Sequence, residues 1–365
     1  MGNGLDLTNF EALNNHLCDV NGIEYCAKDY FENYENGMKN QIKKKLFPDN
    51  YKYPTGVQLE LTYKCNHRCI HCYNQSGGFH EEKELTIEEW KTIAKRLGEL
   101  GIFQCVISGG EPTTLGDGLI EIMEVLDRYN VKFIFITNGL LIDEDLIKKL
   151  AKFKYTWFQV SIDGSRPELH NYVRGIECWD QAIKAANLVK RAGLPLVISH
   201  AIVSKNYEYL EEMIDLAYLL GAKRIVTGPF TYTGRALING EKLELSKEEK
   251  IKAYDLIAKK SEQYKGQMQV IASAEEPLGL RIKATEVNGV MLIRPNGDVK
   301  IDCIAPFKIG NILEEDIYSI WDNIGRDVWK HPKVVEYINN IKSSEDLRTI
   351  ESRVNLDEDI LLERI

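Results

Sequence analysis

Three cysteines fall within eight residues, in Cys65-Asn-His-Arg-Cys69-Ile-His-Cys72. Thiolates ligate soft metals, and eight cysteines in 365 residues are too sparse for a disulfide framework, so the cluster asks for a metal centre. A structural zinc knuckle would take its fourth ligand from His67, His71 or His80, yet such sites usually draw ligand couples from two segments, and no second couple with suitable spacing is present. A cubane iron–sulfur cluster held at three irons instead leaves its fourth iron open to a small molecule, a use that sites with four cysteine ligands do not offer.

Further along stand Gly109-Gly110-Glu111-Pro112, Thr137-Asn138-Gly139, Ser161-Ile162-Asp163-Gly164 and the stretch from His170 to Arg174-Gly175. Glycines let a backbone approach closely, a carboxylate suits an ammonium, and a guanidinium matches a carboxylate bidentately. Singly, each has an ordinary reading: a turn at Gly109 to Pro112, a cap at Asn138, a turn former at Asp163, a surface ion pair at Arg174. What distinguishes them is their order, one after another at successive strand ends.

Those ends follow from the patterning. GVQLELTY, IFQCVIS, VKFIFIT, WFQVSID, LPLVISHAIV and AKRIVTG read as six strands, separated by about six amphipathic helices. Thr86 with Glu89, and Ser246 with Glu249, fit capping boxes that start two helices. Strands separated by helices run parallel, so residues 56 to 230 form an open α/β barrel or a doubly wound sheet with ligands at the strands' C-terminal ends. After a polar helix come the shorter pieces MQVIAS, VMLIRP and DVKIDC, with Asn296-Gly297 as a hairpin turn, read as a small second domain. Residues before about 54 read as a mainly helical extension, and those from about Ser343 as an amphipathic terminal helix.

The cysteine triplet resembles the C-x3-C-x-aromatic-C signature of the radical S-adenosylmethionine (SAM) superfamily, with His71 at the penultimate position. The resemblance implies a partial (β/α)6 TIM-type barrel, one 4Fe-4S cluster on Cys65, Cys69 and Cys72, and SAM completing the fourth iron. It assigns the methionine amino group to Gly109, Gly110, Glu111 and Pro112, the ribose hydroxyls to Ser161 and Asp163, and the carboxylate to Arg174, with His71 and Asn138 also facing the cofactor. The implied chemistry is reductive cleavage of SAM to a 5'-deoxyadenosyl radical that abstracts hydrogen, fed by a flavodoxin- or ferredoxin-type electron donor.

Val57 to Asn74, Pro295 to Val299 leading to Cys303, Gly310-Asn311-Ile312 and Ile317 to Trp321 are similar to the peptide-modifying branch with a small C-terminal α+β SPASM or Twitch extension. That branch implies a ribosomal peptide or protein side chain as substrate. Radical transformation of a small molecule, sulfatase maturation and a non-catalytic zinc-binding carrier are the alternatives. The expected domains are a 1–54 extension, a 55–236 core, a 237–270 connecting helix, a 271–325 SPASM-like unit and a 326–365 helical tail. The chain departs from the branch in its cysteines: beyond Cys178 only Cys303 remains, and Ala284, Thr285 and Glu286 stand where an upstream ligand should fall. A single cluster is expected, unless Cys18 and Cys26 reach across. Without an auxiliary electron acceptor, a redox-neutral outcome such as epimerisation gains over crosslinking, with Cys303 as a hydrogen-atom donor.

A net charge of −9 disfavours duplex nucleic acid as partner. No run approaches the roughly 20 apolar residues of a membrane span, and the start lacks a secretory pattern, so a cytoplasmic protein is expected; Met-Gly-Asn at the start is followed by Asp6 where a myristoylation site needs Ser or Thr. An acidic electron donor would need a local basic dock, for which Lys64, Arg68 and Lys43 to Lys45 are placed. Cys105 and Cys178 read as inert buried thiols; His200, alternating with apolar residues in VISHAIV, points into the barrel near the adenine or, the favoured reading, packs as a satisfied core histidine, while Thr231, Tyr232 and Arg235 face the cavity or form a plain loop.

Overall fold

Lys132–Thr137 (KFIFIT) buries Phe133, Phe135 and Thr137 completely and leaves Ile134 and Ile136 half-exposed. Strict alternation of this kind marks a sheet with one packed face and one open face. The computed structural model describes residues 51–78, 83–273, 278–285, 289–341, 344–348 and 359–363. The expectations for residues before 51, including Cys18, Cys26 and Lys43 to Lys45, and those for His80 and Glu286 lie outside the described residues.

Seven strands run parallel in chain order: β1 (Gly56–Glu60), β2 (Gln104–Ser108), β3 (Lys132–Thr137), β4 (Tyr155–Ser161), β5 (Leu196–Ile202), β6 (Arg224–Pro229) and β7 (Gln269–Ala272). Between the first six lie α1 (Ile87–Leu100), α2 (Asp117–Asp127), α3 (Glu144–Leu150), α4 (Pro167–Arg174), α5 (Trp179–Arg191) and α6 (Leu210–Leu219). The capping box at α1 is formed: Glu89 N donates to Thr86 Oγ1 and Thr86 N to Glu89 Oε2. The helix-side face is one continuous core that includes Phe133, Phe135, Phe158, Trp90 and Leu126, each fully buried; each such side chain contributes roughly 1.5–3 kcal/mol of burial. On the opposite, concave face Gln58, Gln104, Gln159, Ser161 and Ser199 are only partly buried. With Val106, Ile134, Ile136 and Trp157 on the same face, this is an unclosed barrel whose lumen mixes polar and apolar side chains.

MQVIAS does not join the later strand pieces; as β7 it lies beside β6 and extends the barrel sheet. α7 (Arg235–Leu243) and α8 (Lys247–Gln263), the latter started by the Ser246 capping box, precede it. After α9 (Leu278–Thr285), β8 (Val290–Ile293) returns to the other edge and pairs parallel with β1, Gly56 opposite Val290 and Leu59 opposite Ile293. Thr55 Oγ1 donates to Gly289 O across 234 residues of chain. β9 (Asp298–Lys300) turns back at Asn296-Gly297, where Gly297 takes φ 91, and β10 (Phe307–Asn311) follows. The C-terminal strands therefore continue the barrel sheet rather than forming a sheet of their own. α10 (Ile317–Asn323) and α11 (Pro332–Asn340) pack beside them, and Ile360–Leu361 pairs with Phe307 and Lys308 as β11, where a terminal helix was expected. Among the described residues no helix is long and apolar enough to cross a membrane.

Candidate active site

The cysteine loop leaves the C-terminal end of β1 and is gripped from several sides. Gly110 N donates to Thr62 O at 2.6 Å and Glu111 N to Lys64 O at 2.9 Å. A Cβ on Gly109 would stand 2.8 Å from Thr62 O, and one on Gly110 2.2 Å from Lys64 O, so only glycine admits this contact. From the C-terminal end of α4, the carbonyls of Arg174 and Val173 accept from Arg68 N and Ile70 N. At the start of α7, Arg235 Nε donates to Cys69 O at 2.7 Å and Nη1 to Ser76 O at 3.0 Å, while its amide holds Cys72 O. Arg235, left by the sequence as a cavity or loop residue, is a clamp on the loop.

The thiols face polar groups from the other strand ends. Asn138 Nδ2 donates toward Cys65 Sγ at 3.9 Å and to Asn66 Oδ1 at 2.7 Å, and Arg174 Nη1 donates to Cys69 Sγ at 3.7 Å. Asn138 is fixed in turn by Glu111, whose Oε2 accepts Asn138 N at 2.7 Å and whose Oε1 accepts Thr113 Oγ1 and Thr137 Oγ1 at 2.7 and 2.8 Å. Burial pushes the Glu111 carboxyl up, against these donors. The structure thus uses this carboxylate to tie β2 to β3, and Pro112 to start the 3-10 turn Pro112–Leu115.

Asp163 and Arg174, assigned above to ribose and carboxylate, pair with each other, Nε to Oδ2 at 2.7 Å. Asp163 Oδ1 accepts Ala201 N at 2.8 Å. Burial would raise this carboxyl, but Arg174 outweighs it and, with His71 and His200, holds it at about 2. His71 Nε2 lies 3.9 Å from Asp163 Oδ2, and burial takes His71 down to about 4, so it is a neutral ring. Ser161 sits at the end of β4 on the lumen face beside Ser199. His200 is a satisfied core histidine, bonded to Thr227 Oγ1 at 2.7 Å and Asn206 Nδ2 at 3.2 Å. Cys105 is fully buried in the core; Cys178 is buried too, but it touches His170 Nε2 at 3.3 Å, within the site's surroundings.

Three lumen residues escaped the sequence reading. Glu60 ends β1 and accepts Tyr73 Oη at 2.5 Å, and Arg294, directly after β8, lies 3.9 Å from Glu60 Oε2. The signal was the alternation that places Glu60 on the face of Gln58, two positions apart. Burial drives the Tyr73 phenol well above its ordinary value, and the Glu60 carboxylate adds to it. Cys303 follows β9 on a turn that Asp302 builds by accepting Ile304 N at 2.6 Å and Ala305 N at 3.1 Å. The triplet and the Glu60–Tyr73 pair therefore meet at the C-terminal end of β1, while Cys303 follows β9, which runs antiparallel to β8 and ends at the side where β1 begins.

Burial lifts the Cys65 thiol to about 12 and the Cys69 thiol upward, and the neighbouring thiols add to both shifts. Three adjacent thiolates need a strongly positive partner to persist there. Among the described residues no three His, Cys, Asp or Glu side chains are arranged to hold a single ion. A cubane fits better, because it takes each thiolate on its own iron.

Residues 59–217 match the radical SAM superfamily. The chain is 30% identical over 284 residues, 74% of its length and 71% of the relative's, to the mycofactocin maturase MftC of Mycobacterium tuberculosis. It is 33% identical over 218 residues, 60% of this chain and 58% of the relative, to the PqqA peptide cyclase of Granulibacter bethesdensis. Streptococcus suis SuiB, solved bound to its precursor peptide SuiA, superposes with a TM-score of 0.62 at 18% identity over 84% of this chain and 70% of that one, a likeness of fold. The chain belongs to the radical SAM superfamily, whose enzymes work with a 4Fe-4S cluster and S-adenosylmethionine.

Proposed function

We propose that this enzyme modifies a ribosomally made peptide or a protein side chain, drawn into the open face of the barrel. The observation that carries the reading is the meeting of the clamped triplet with the Glu60–Tyr73 pair at one end of an unclosed lumen. Relatives named for maturation or cyclisation of peptides support it. Cys65, Cys69 and Cys72 would each hold one iron, with SAM against Gly109 to Pro112, Asn138, His71 and Ser161. When bound, the cluster and SAM supply a carbon-centred radical that takes hydrogen from an unactivated carbon.

The chain's own residues then do the rest. Gly109 and Gly110 bring backbone against the cysteine loop, Glu111 sets Asn138 beside Cys65, and Cys69 is buried while Cys65 and Cys72 stay partly open to the lumen. Cys303 gives a hydrogen atom from its S–H to the substrate carbon radical; one electron from the external donor and one proton restore the thiol. Lys64 and Arg68, both exposed on the cysteine loop, form the dock for an acidic flavodoxin- or ferredoxin-type donor.

The test is anaerobic reconstitution with iron, sulfide, dithionite and SAM, followed by mass spectrometry of short peptides encoded beside the gene. 5'-Deoxyadenosine, lost in Cys65→Ala, together with a peptide of altered mass, or one that gains deuterium when the reaction is run in D2O, supports the proposal. Cleavage of SAM with change only in a small molecule overturns the substrate class, and bound zinc without cleavage overturns the enzyme. A Cys303→Ala variant that retains full product yield removes Cys303 from the mechanism.

A further inference from the structure

Arg224 opens β6 and Trp157 lies within β4, and both face the lumen, since their neighbours Ile225 and Phe158 are fully buried on the helix side. The guanidinium carbon stands 4.0 Å from the centroid of the Trp157 indole, and Nε and Nη2 donate to Gln269 Oε1 on β7 at 2.8 and 2.6 Å. The ring and the amide fix the plane of the guanidinium without neutralising it. Arg166, Arg294, Arg326 and Arg348 each pair with a carboxylate. None of the strands β2 to β7 carries an Asp or a Glu, and among the described residues no carboxylate pairs with Arg224. Its Nη1 and the Trp157 indole N–H likewise donate to no described residue. Burial works against the charge and pulls the Arg224 pKa below its ordinary value. A stacked cation with spare N–H groups, partly dehydrated and unpaired, is a receptor for a planar anion.

We propose that Arg224 and Trp157 bind a carboxylate of the peptide substrate, from an Asp or Glu side chain or from the peptide's C-terminus, and so decide which peptides the enzyme accepts. The proposal rests on the peptide-modifying reading above. Trp157 precedes Ser161, against which SAM sits in that reading, on the same face of the same strand. Four residues of strand separate the two levels by roughly 13 Å. An extended peptide covers that span in about four residues, which sets how far the carboxylate stands from the carbon that loses hydrogen. Gln159, half-buried between the two levels on that face, offers its amide to the intervening peptide backbone.

The probe is the peptide found modified in the mass-spectrometric assay above. Each of its Asp and Glu residues is changed in turn to Asn or Gln, and a further version is amidated at the C-terminus. KM and kcat are measured with wild type, Arg224→Gln and Arg224→Lys, with iron per chain as the check on folding. The expected result is one change of acid to amide that raises KM about tenfold in wild type but less than about twofold in Arg224→Gln, with kcat moved less than about threefold. Arg224→Gln already shows the raised KM with the unchanged peptide, and Arg224→Lys recovers part of the loss. Sensitivity at one Asp or Glu assigns a side chain; sensitivity to amidation alone assigns the C-terminus. A KM indifferent to every charge removed, or a loss equal in wild type and Arg224→Gln, overturns the inference and leaves peptide modification standing. If Arg224→Gln does not load iron, the same comparison is made with Arg224→Lys, where a smaller loss than in wild type supports the contact and an equal loss overturns it. SAM cleavage with no peptide altered defeats the peptide reading itself, an outcome distinct from a modified peptide whose charge makes no difference.

Discussion

A Cβ on Gly110 would stand 2.2 Å from the carbonyl oxygen of Lys64. Two chain segments forty-six positions apart are thereby in backbone contact, and the space between them has no room for a side chain. The same closeness recurs at Gly234, where a Cβ would meet Cys72 O at 2.4 Å. The cysteine loop is shaped by the glycines around it as much as by its own sequence.

Gly110→Ala must therefore push the second strand end off the first. Iron incorporation falls to less than about half, and SAM cleavage falls more than about tenfold, since a misplacement of about 1 Å has that order of effect. Iron per chain and 5'-deoxyadenosine yield measure it; normal loading would show that the loop yields more easily than its contacts imply.

Arg235→Ala removes the donors to Cys69 O and Ser76 O. Each lost bond leaves a carbonyl short of a partner, for a combined cost of about 1–3 kcal/mol. The expected reading is faster loss of iron to a chelator, with the thermal midpoint lowered by a few degrees. Equal release rates in the two proteins would deny the clamp.

Asp302 accepts two amides and pairs with Lys283 Nζ at 2.5 Å. Burial alone would raise its carboxyl, but Lys283 and the amides of Ile304 and Ala305 prevail and hold it below the ordinary value. A depressed carboxyl stabilises the fold fully above its unfolded pKa near 3.9 and loses that contribution as pH falls through the lower folded value. Asp302→Asn is accordingly less stable at neutral pH and shows a shallower loss of stability below about pH 4, followed by denaturant unfolding across the acid range. Parallel pH curves would contradict this.

Lys64 is exposed where the cysteine loop begins. Lys64→Glu should slow reduction by a flavodoxin or ferredoxin several-fold and steepen the loss at low ionic strength, while dithionite reduces both proteins alike. Identical rates with the protein donor would place the dock elsewhere.

Much of this site was readable in advance, and the reasons are specific. The cysteine spacing, the strand rhythm and the glycine pair at the second strand end are local signals, and each lies where its pattern placed it. The Arg174–Asp163 pair was not readable, because both residues were recognised but their mutual partner depends on how far α4 reaches back over β4. Glu60 and Tyr73 were passed over because they look like an ordinary strand end and an ordinary loop aromatic; only their 2.5 Å contact gives them a role. The attachment of β8 to β1 left no local trace, as a parallel pairing across so much chain depends on no nearby turn.

That pairing also sets a schedule. On the ribosome β1 emerges early with one bare edge, and its partner follows 234 residues later, roughly 10 to 50 s at ordinary rates of synthesis. During that interval the strand that aims the three thiols has an open flank able to accept a foreign strand. A scaffold or chaperone that delivers iron has its natural moment after this interval, when the last strands have sealed that flank.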